Sequence, residues 1–96
     1  MYSQQEVYRQ QILSRLQIWE RELVQLRSGI GKLDGDVRSR CEAWLLEVEV
    51  RNRDVFNCYA DLLAAEGNHW DEKRVALDAA ADQMELTIMD YVLRAA

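Results

Sequence analysis

The single histidine is the first residue that could do chemistry, because Glu66 and His69 have the Glu-x-x-His spacing of a metal-ligand pair. Di-metal carboxylate bundles use two such pairs and further glutamates, all of which face inward from neighbouring helices. This chain has one copy of the pair, and Gly67 interrupts it with a residue that breaks helices. We therefore expect no metal site and no cofactor, and we interpret His69 as an exposed residue at the start of a helix.

The two cysteines, Cys41 and Cys58, lie in one predicted helix. Their separation corresponds to about 25 Å along a helix, whereas a disulfide requires Cα atoms within about 7 Å of each other. We therefore predict two reduced thiols in the core or at its boundary, with an intermolecular disulfide as the alternative. Neither cysteine has a histidine close by in sequence, as an activated nucleophile would require.

The remaining polar residues do not form a catalytic pattern. Carboxylates such as Glu20 and Glu47 stand among arginines and lysines, which is typical of a solvated surface. None lies on an apolar seam, where burial could raise its pKa and make it a general acid. The three tryptophans lie on three apolar seams, which indicates a core and not a ligand cage. The sequence thus predicts no catalytic residue, no small-molecule substrate and no enzyme. The tryptophans are Trp19, Trp44 and Trp70.

The formal net charge of −5 restricts the classes of partner. It argues against nucleic acid, whose phosphates require a basic face, and against anionic membranes. No apolar stretch approaches the roughly 20 residues of a membrane span. The first residues lack a basic segment followed by an apolar run, so we expect no signal peptide and a cytoplasmic location.

Apolar residues recur every three or four positions in three stretches, the spacing of helices that pack along one another. Further apolar residues flank each seam, and we expect them to widen the buried stripe as in a bundle. The first seam is Tyr8, Ile12, Leu16, Trp19, Leu23, Leu26, Ile30 and Leu33, flanked by Leu13 and Val24. The second is Val37, Cys41, Trp44, Val48, Val55, Tyr59 and Leu62, flanked by Leu45, Phe56 and Leu63. The third is Trp70, Arg74, Leu77, Ala81, Met84, Ile88, Tyr91 and Ala95, flanked by Val75, Leu86, Met89 and Leu93.

Glycines separate the three stretches in a chain that contains no proline. Gly29, Gly31 and Gly35 disfavour a helix interior, Asp34 and Asp36 are good N-caps, and Gly67 can adopt the left-handed conformation that closes helices. We predict helices over 3–33, 36–66 and 68–95 in one helical domain, 1–96. The predicted fold is all-α, an antiparallel bundle of three long amphipathic helices. The alternative is a long kinked helix with a return helix, which would dimerise into a larger bundle.

The order of these features resembles a family of small bacterial coiled-coil proteins described as stress-response or apolipoprotein-like. The residues that carry the resemblance are the Tyr8 seam leading to Trp19-Glu20, and Gly67-x-x-Trp70 opening an alanine-rich last helix. The resemblance covers residues 8–95 and implies a role in stress physiology, with no reaction attached. The family pattern also implies that the first two helices form one rod, whereas the glycines at 29–35 indicate a break.

The three wide apolar stripes favour a function in helix–helix association. We expect a non-enzymatic cytoplasmic interaction protein, linked to stress, that forms a homo-oligomer or binds another helical protein. The alternative is a lipid-surface or chaperone-like protein whose amphipathic helices open to expose their stripes; the acidic charge counts against the lipid version.

Overall fold

The chain folds into three long α-helices that pack as a bundle. The computed structural model describes residues 3–95, with side chains through residue 94. The helices are α1 (Gln4–Ile30), α2 (Gly35–Ala64) and α3 (His69–Ala95), and no β-strand occurs within residues 3–95. The bundle measures 52 × 23 × 19 Å. The predicted all-α three-helix bundle is thus confirmed, and the glycines at 29–35 mark a turn instead of a kink.

Helix α1 begins with a side-chain cap and ends three residues before the predicted position. The Ser3 side chain accepts a hydrogen bond of 3.2 Å from the backbone amide of Glu6, which satisfies one free donor of the first turn. At the other end, the amides of Lys32 and Leu33 bond to the carbonyls three residues before them. Because these hydrogen bonds span three residues instead of four, the segment that was predicted as the end of α1 forms the connection between α1 and α2.

Helix α2 begins at Gly35, one residue before the predicted start. Gly35 has φ +62°, a left-handed conformation that costs glycine little and other residues more. Asp34 occupies the N-cap position with an extended backbone, but its carboxylate makes no capping hydrogen bond. Its backbone carbonyl instead accepts a long bond of 3.4 Å from the amide of Arg38.

The second turn reverses the chain between Ala64 and His69. Helix α2 ends two residues before the predicted position 66, because Ala65 is extended, with φ −73° and ψ 141°. Gly67 adopts φ +58°, the left-handed conformation predicted from its place in the sequence. Helix α3 then begins at His69, one residue after the predicted start.

The core is formed by the three predicted seams, with two kinds of exception. Val37 is 49% exposed, because it lies in the first turn of α2 at one end of the bundle. The flanking residues were predicted to widen the buried stripes, yet of these only Leu45 is buried. The side chain of Ala95 lies outside the described residues. The buried residues are Ile12, Leu16, Trp19, Leu23, Ile30, Cys41, Leu45, Val48, Val55, Leu62, Leu77, Ala81, Met84 and Tyr91.

Helix α2 runs antiparallel to α1 and α3, and its backbone lies closer to α3 than to α1 over most of its length. Near the C-terminus of α3, the rings of Trp44 and Tyr91 meet edge to face at 6.5 Å. Within the described residues no Cα atom of α1 lies within 8 Å of a Cα atom of α3. These two parallel helices therefore meet only through side chains, which leaves a groove between them.

Candidate functional site

An aromatic pair spans the groove between α1 and α3 at their N-terminal ends. The rings of Tyr8 on α1 and Trp70 on α3 meet at 5.7 Å with an interplanar angle of 77°, the edge-to-face geometry that aromatic rings prefer. An opening of about 500 Å³ lies beside them, lined also by Val7, Asp71 and Arg74. Because Asp71 and Arg74 carry opposite charges, this opening favours neither an anionic nor a cationic ligand.

A polar cluster beside the aromatic pair connects the same two helices. The hydroxyl of Tyr8 donates a hydrogen bond of 2.5 Å to Oδ1 of Asp78, whose Oδ2 accepts a bond of 3.1 Å from Arg74. Burial raises the pKa of Tyr8, and the hydrogen bond to the Asp78 carboxylate raises it further. The phenol therefore stays protonated and acts as a structural donor instead of an acid catalyst.

Arg15 bridges the middle of the groove. Its guanidinium lies 2.7 Å from the carboxylate of Glu85 on α3 and 5.0 Å from the centre of the Trp19 ring, within cation–π range. Beyond this bridge, a second opening of about 260 Å³ is lined by Ile18 and Trp19 of α1 and by Ile88 and Met89 of α3, with one glutamate on each side. This half of the groove is mainly apolar.

Helix α3 carries a second apolar row on the side that faces away from the bundle. Its large apolar members are between 58% and 75% exposed. Successive positions in the row are four or three residues apart, which is the heptad spacing of a packed helix seam. We call this row the outer seam: Val75, Ala79, Asp82, Leu86, Met89 and Leu93.

Acidic side chains accompany the outer seam. Asp82 lies in the seam itself, seven residues from both Val75 and Met89. Along the edge of the seam that faces α1, three carboxylates recur every seven residues; we call them the acidic row. All three have arginine partners, at 2.7, 3.1 and 4.0 Å, whereas Asp82 makes no ion pair with any described residue. The acidic row is Asp71, Asp78 and Glu85.

The residues first considered as metal ligands do not form a common site. His69 is the first residue of α3 and is exposed, as expected, with its Nδ1 3.7 Å from the Glu72 carboxylate. Glu66 lies outside the helices, beyond the end of α2. Within the described residues no group of three or more His, Cys, Asp and Glu side chains is arranged to hold a metal ion.

Both cysteines lie on α2 as free thiols, and the positions of Cys41 in the core and Cys58 at its edge match those predicted. Cys41 is buried in the core, where its sulfur adjoins the hydroxyl of Tyr91; burial, and then this sulfur, raise the pKa of Tyr91. Burial likewise raises the pKa of Cys58, and the carboxylates of Asp61 and Asp54 raise it further. A raised thiol pKa lowers the fraction of nucleophilic thiolate at neutral pH.

Sequence reasoning missed two features that the structure shows. The capping bond of Ser3 could have been found, because Ser3 and Glu6 have the Ser-x-x-Glu spacing of a capping box. The bond between Tyr8 and Asp78 had no such signal, because it joins residues on different helices.

Similarity to known proteins adds no assignment to these surfaces. No protein-family model, curated protein or solved structure showed significant similarity to this chain. Within the described residues, no helix combines the length and the apolar character needed to cross a bilayer.

Proposed function

We propose that this protein is a non-enzymatic, cytoplasmic interaction protein that binds another helix through the outer seam of α3. The observation that carries the proposal is the heptad spacing of apolar side chains that the bundle itself does not cover. Val75, Leu86, Met89 and Leu93 are all more than half exposed, whereas the opposite side of α3 is buried at Leu77, Ala81 and Met84.

The physical reason is the cost of leaving this row in water. Covering a leucine or methionine side chain completely contributes about 1.5 to 3 kcal/mol, and contiguous exposed apolar patches on monomeric proteins are generally interaction sites. A helix that lay along the seam would cover these side chains and would turn the three-helix bundle into a four-helix arrangement.

The proposed biological context comes from the sequence pattern alone. The resemblance carried by Gly67 and Trp70 supports a link to stress physiology.

A lipid-surface or chaperone-like role is the second candidate, and the observation that favours it is the number of exposed apolar side chains on all three helices. The acidic row makes an anionic membrane an unfavourable surface, because like charges repel. The heptad spacing of the outer seam also suits a helix better than it suits a lipid or an unfolded chain.

Site-specific photo-crosslinking tests the proposal. A photoreactive amino acid at Leu86, which is 59% exposed in the outer seam, is compared with one at Leu46, which is 62% exposed on α2 outside this seam. We expect irradiation of cells to give a discrete protein adduct at position 86 that mass spectrometry maps to an apolar face of a helix, and no such adduct at 46.

Two outcomes would contradict the proposal: the same adducts at both positions, or no discrete protein adduct at position 86. Adducts to lipid at position 86 would instead support the second candidate. Because the two leucines are equally exposed, random collisional labelling affects both positions alike.

A further inference from the structure

The outer seam has a charged residue at its centre, and this restricts what can cover it. Asp82 is exposed, makes no ion pair with a described residue and is flanked along the seam by Ala79 and Leu86. A helix that covers the seam would take this carboxylate out of water, which is unfavourable unless a cation or a hydrogen-bond donor faces it. A single polar residue in an apolar seam also fixes the register of the two helices.

The net charge of α3 also restricts which helix can cover the outer seam. Helix α3 contains six acidic residues and three lysine or arginine residues, which gives a net charge of −3 with His69 neutral. Asp71, the first member of the acidic row, has a side chain that is 85% exposed. Arg15 pairs with Glu85, and Arg74 pairs with Asp78 at 3.1 Å and lies 4.0 Å from Asp71, so Asp82 is the carboxylate of this surface that has no ion-pair partner among the described residues.

These charges disfavour a second copy of this chain on the same surface. Pairing two α3 helices would bring together two surfaces of net charge −3 each. In a parallel pair, the same seam positions face each other, so Asp82 would lie against Asp82 of the second copy. In an antiparallel pair, equivalent edges face each other, so each acidic row would lie against the other acidic row.

We propose that the partner of the outer seam is a basic amphipathic helix of another protein, with lysine or arginine opposite Asp82 and along the edge that faces the acidic row. The proposal rests on the proposed function and specifies the chemistry of the partner. Opposite charges across a helix seam select the partner and its orientation. From Val75 to Leu93 the seam is about 27 Å long, so a partner helix of about 20 residues covers it.

Three synthetic peptides, each about 25 residues long, test the partner chemistry with the intact protein. The first has a leucine heptad seam with one central lysine and lysines on its flanks. The second has glutamate at every one of these lysine positions, and the third has the composition of the first in scrambled order. In isothermal titration calorimetry we expect the first peptide to bind, and the other two to bind at least about tenfold more weakly.

Variants of the protein separate the charge from the apolar contact. We expect Asp82→Lys to weaken binding of the first peptide about tenfold or more and to improve binding of the second. The matched control Glu20→Lys makes the same change of charge at an exposed position of α1, and we expect it to alter the affinity less than about twofold. Circular dichroism of each variant establishes that the helices are retained.

The outcomes distinguish the partner chemistry from the proposed function itself. Equal binding of the first two peptides, or equal effects of Asp82→Lys and Glu20→Lys, would overturn the basic partner. If the first two peptides bound equally but Leu86→Gln abolished the binding of both, the proposed function would stand, because association would still occur through the outer seam. If Leu86→Gln and Leu93→Gln changed no peptide affinity, both proposals would fail. Concentration-dependent dimerisation in sedimentation equilibrium that Leu86→Gln abolished would show that a second copy is the occupant, against the inference.

Discussion

Tyr8 on α1 and Asp78 on α3 are joined by a hydrogen bond of 2.5 Å, although 70 positions separate them in the sequence. The bond crosses the groove at a place where the two backbones remain apart. Together with the ring contact between Tyr8 and Trp70 and the ion pair of Arg15 with Glu85, it fixes α1 against α3. Helices α1 and α3 are thus held together by directional side-chain contacts instead of close backbone packing.

Removing the hydroxyl in Tyr8→Phe is expected to lower the free energy of unfolding by about 1 kcal/mol, the usual net contribution of such a bond. The ring contact with Trp70 is preserved in this variant. Urea unfolding followed by circular dichroism measures the change. Tyr59→Phe is the matched control, because the Tyr59 hydroxyl makes no hydrogen bond to a described residue. An equal loss in both variants would contradict a specific role for the Tyr8 bond.

The raised pKa of Tyr8 predicts how the stability of the protein changes at alkaline pH. The pKa of Tyr8 is raised above its ordinary value of 10.0, and burial and the Asp78 carboxylate are the two largest causes. A group whose pKa is higher in the folded state stabilises the fold below its unfolded pKa and loses this contribution as pH rises beyond it. We therefore expect the free energy of unfolding to fall as pH rises above about 10. The fall should be smaller in Tyr8→Phe, and an identical pH dependence of the two proteins would refute this assignment.

Two leucines on opposite sides of α3 should respond differently to truncation. Leu77 is completely buried, so Leu77→Ala is expected to cost about 2 to 5 kcal/mol of stability. Leu93 is 75% exposed, so Leu93→Ala should change stability by less than about 0.5 kcal/mol in the free protein. Thermal or urea unfolding of the two variants measures the difference. A large loss in Leu93→Ala would mean that the outer seam is covered in the free protein.

Two glycines should give effects of opposite sign when replaced by alanine. At Gly67, an added Cβ has open space but must adopt φ +58°, so Gly67→Ala is expected to lower stability by about 1 kcal/mol. Gly29 lies within α1, also with open space, so Gly29→Ala should raise stability by about 0.5 to 1 kcal/mol. Equilibrium unfolding distinguishes the two signs. If both variants were destabilised, α1 would not extend through Gly29 in solution.

Asn52 is a polar residue among the core positions of α2, between Val48 and Val55. Its Oδ1 atom is buried and has no hydrogen-bond partner among the described residues. Because an unsatisfied buried acceptor costs about 1 to 3 kcal/mol, Asn52→Leu is expected to raise the free energy of unfolding. Urea unfolding measures the gain, and sedimentation checks that the variant keeps the association state of the parent. A loss of more than about 1 kcal/mol would show that the amide group is satisfied in the native protein.

The sequence alone determined the number and type of the elements. Three stretches of three- and four-residue apolar spacing, separated by glycines, specify three helices, because a helix presents residues at these intervals on one face. The same spacing identified the buried residues from Ile12 to Tyr91, with Val37 as the exception at the bundle end. Helix ends were less accurate, because the exact end depends on local hydrogen bonds such as those of Lys32 and Leu33.

Only the tertiary structure decided which apolar rows are covered. Val75, Leu86, Met89 and Leu93 were predicted to widen the buried stripe of α3, but they lie exposed on its far side. Apolar spacing shows which residues share a helix face, whereas the number and placement of neighbouring helices determine whether that face is covered. With only α1 and α2 available, α3 buries the face that contains Leu77 and Met84. The second face remains in water for the same reason.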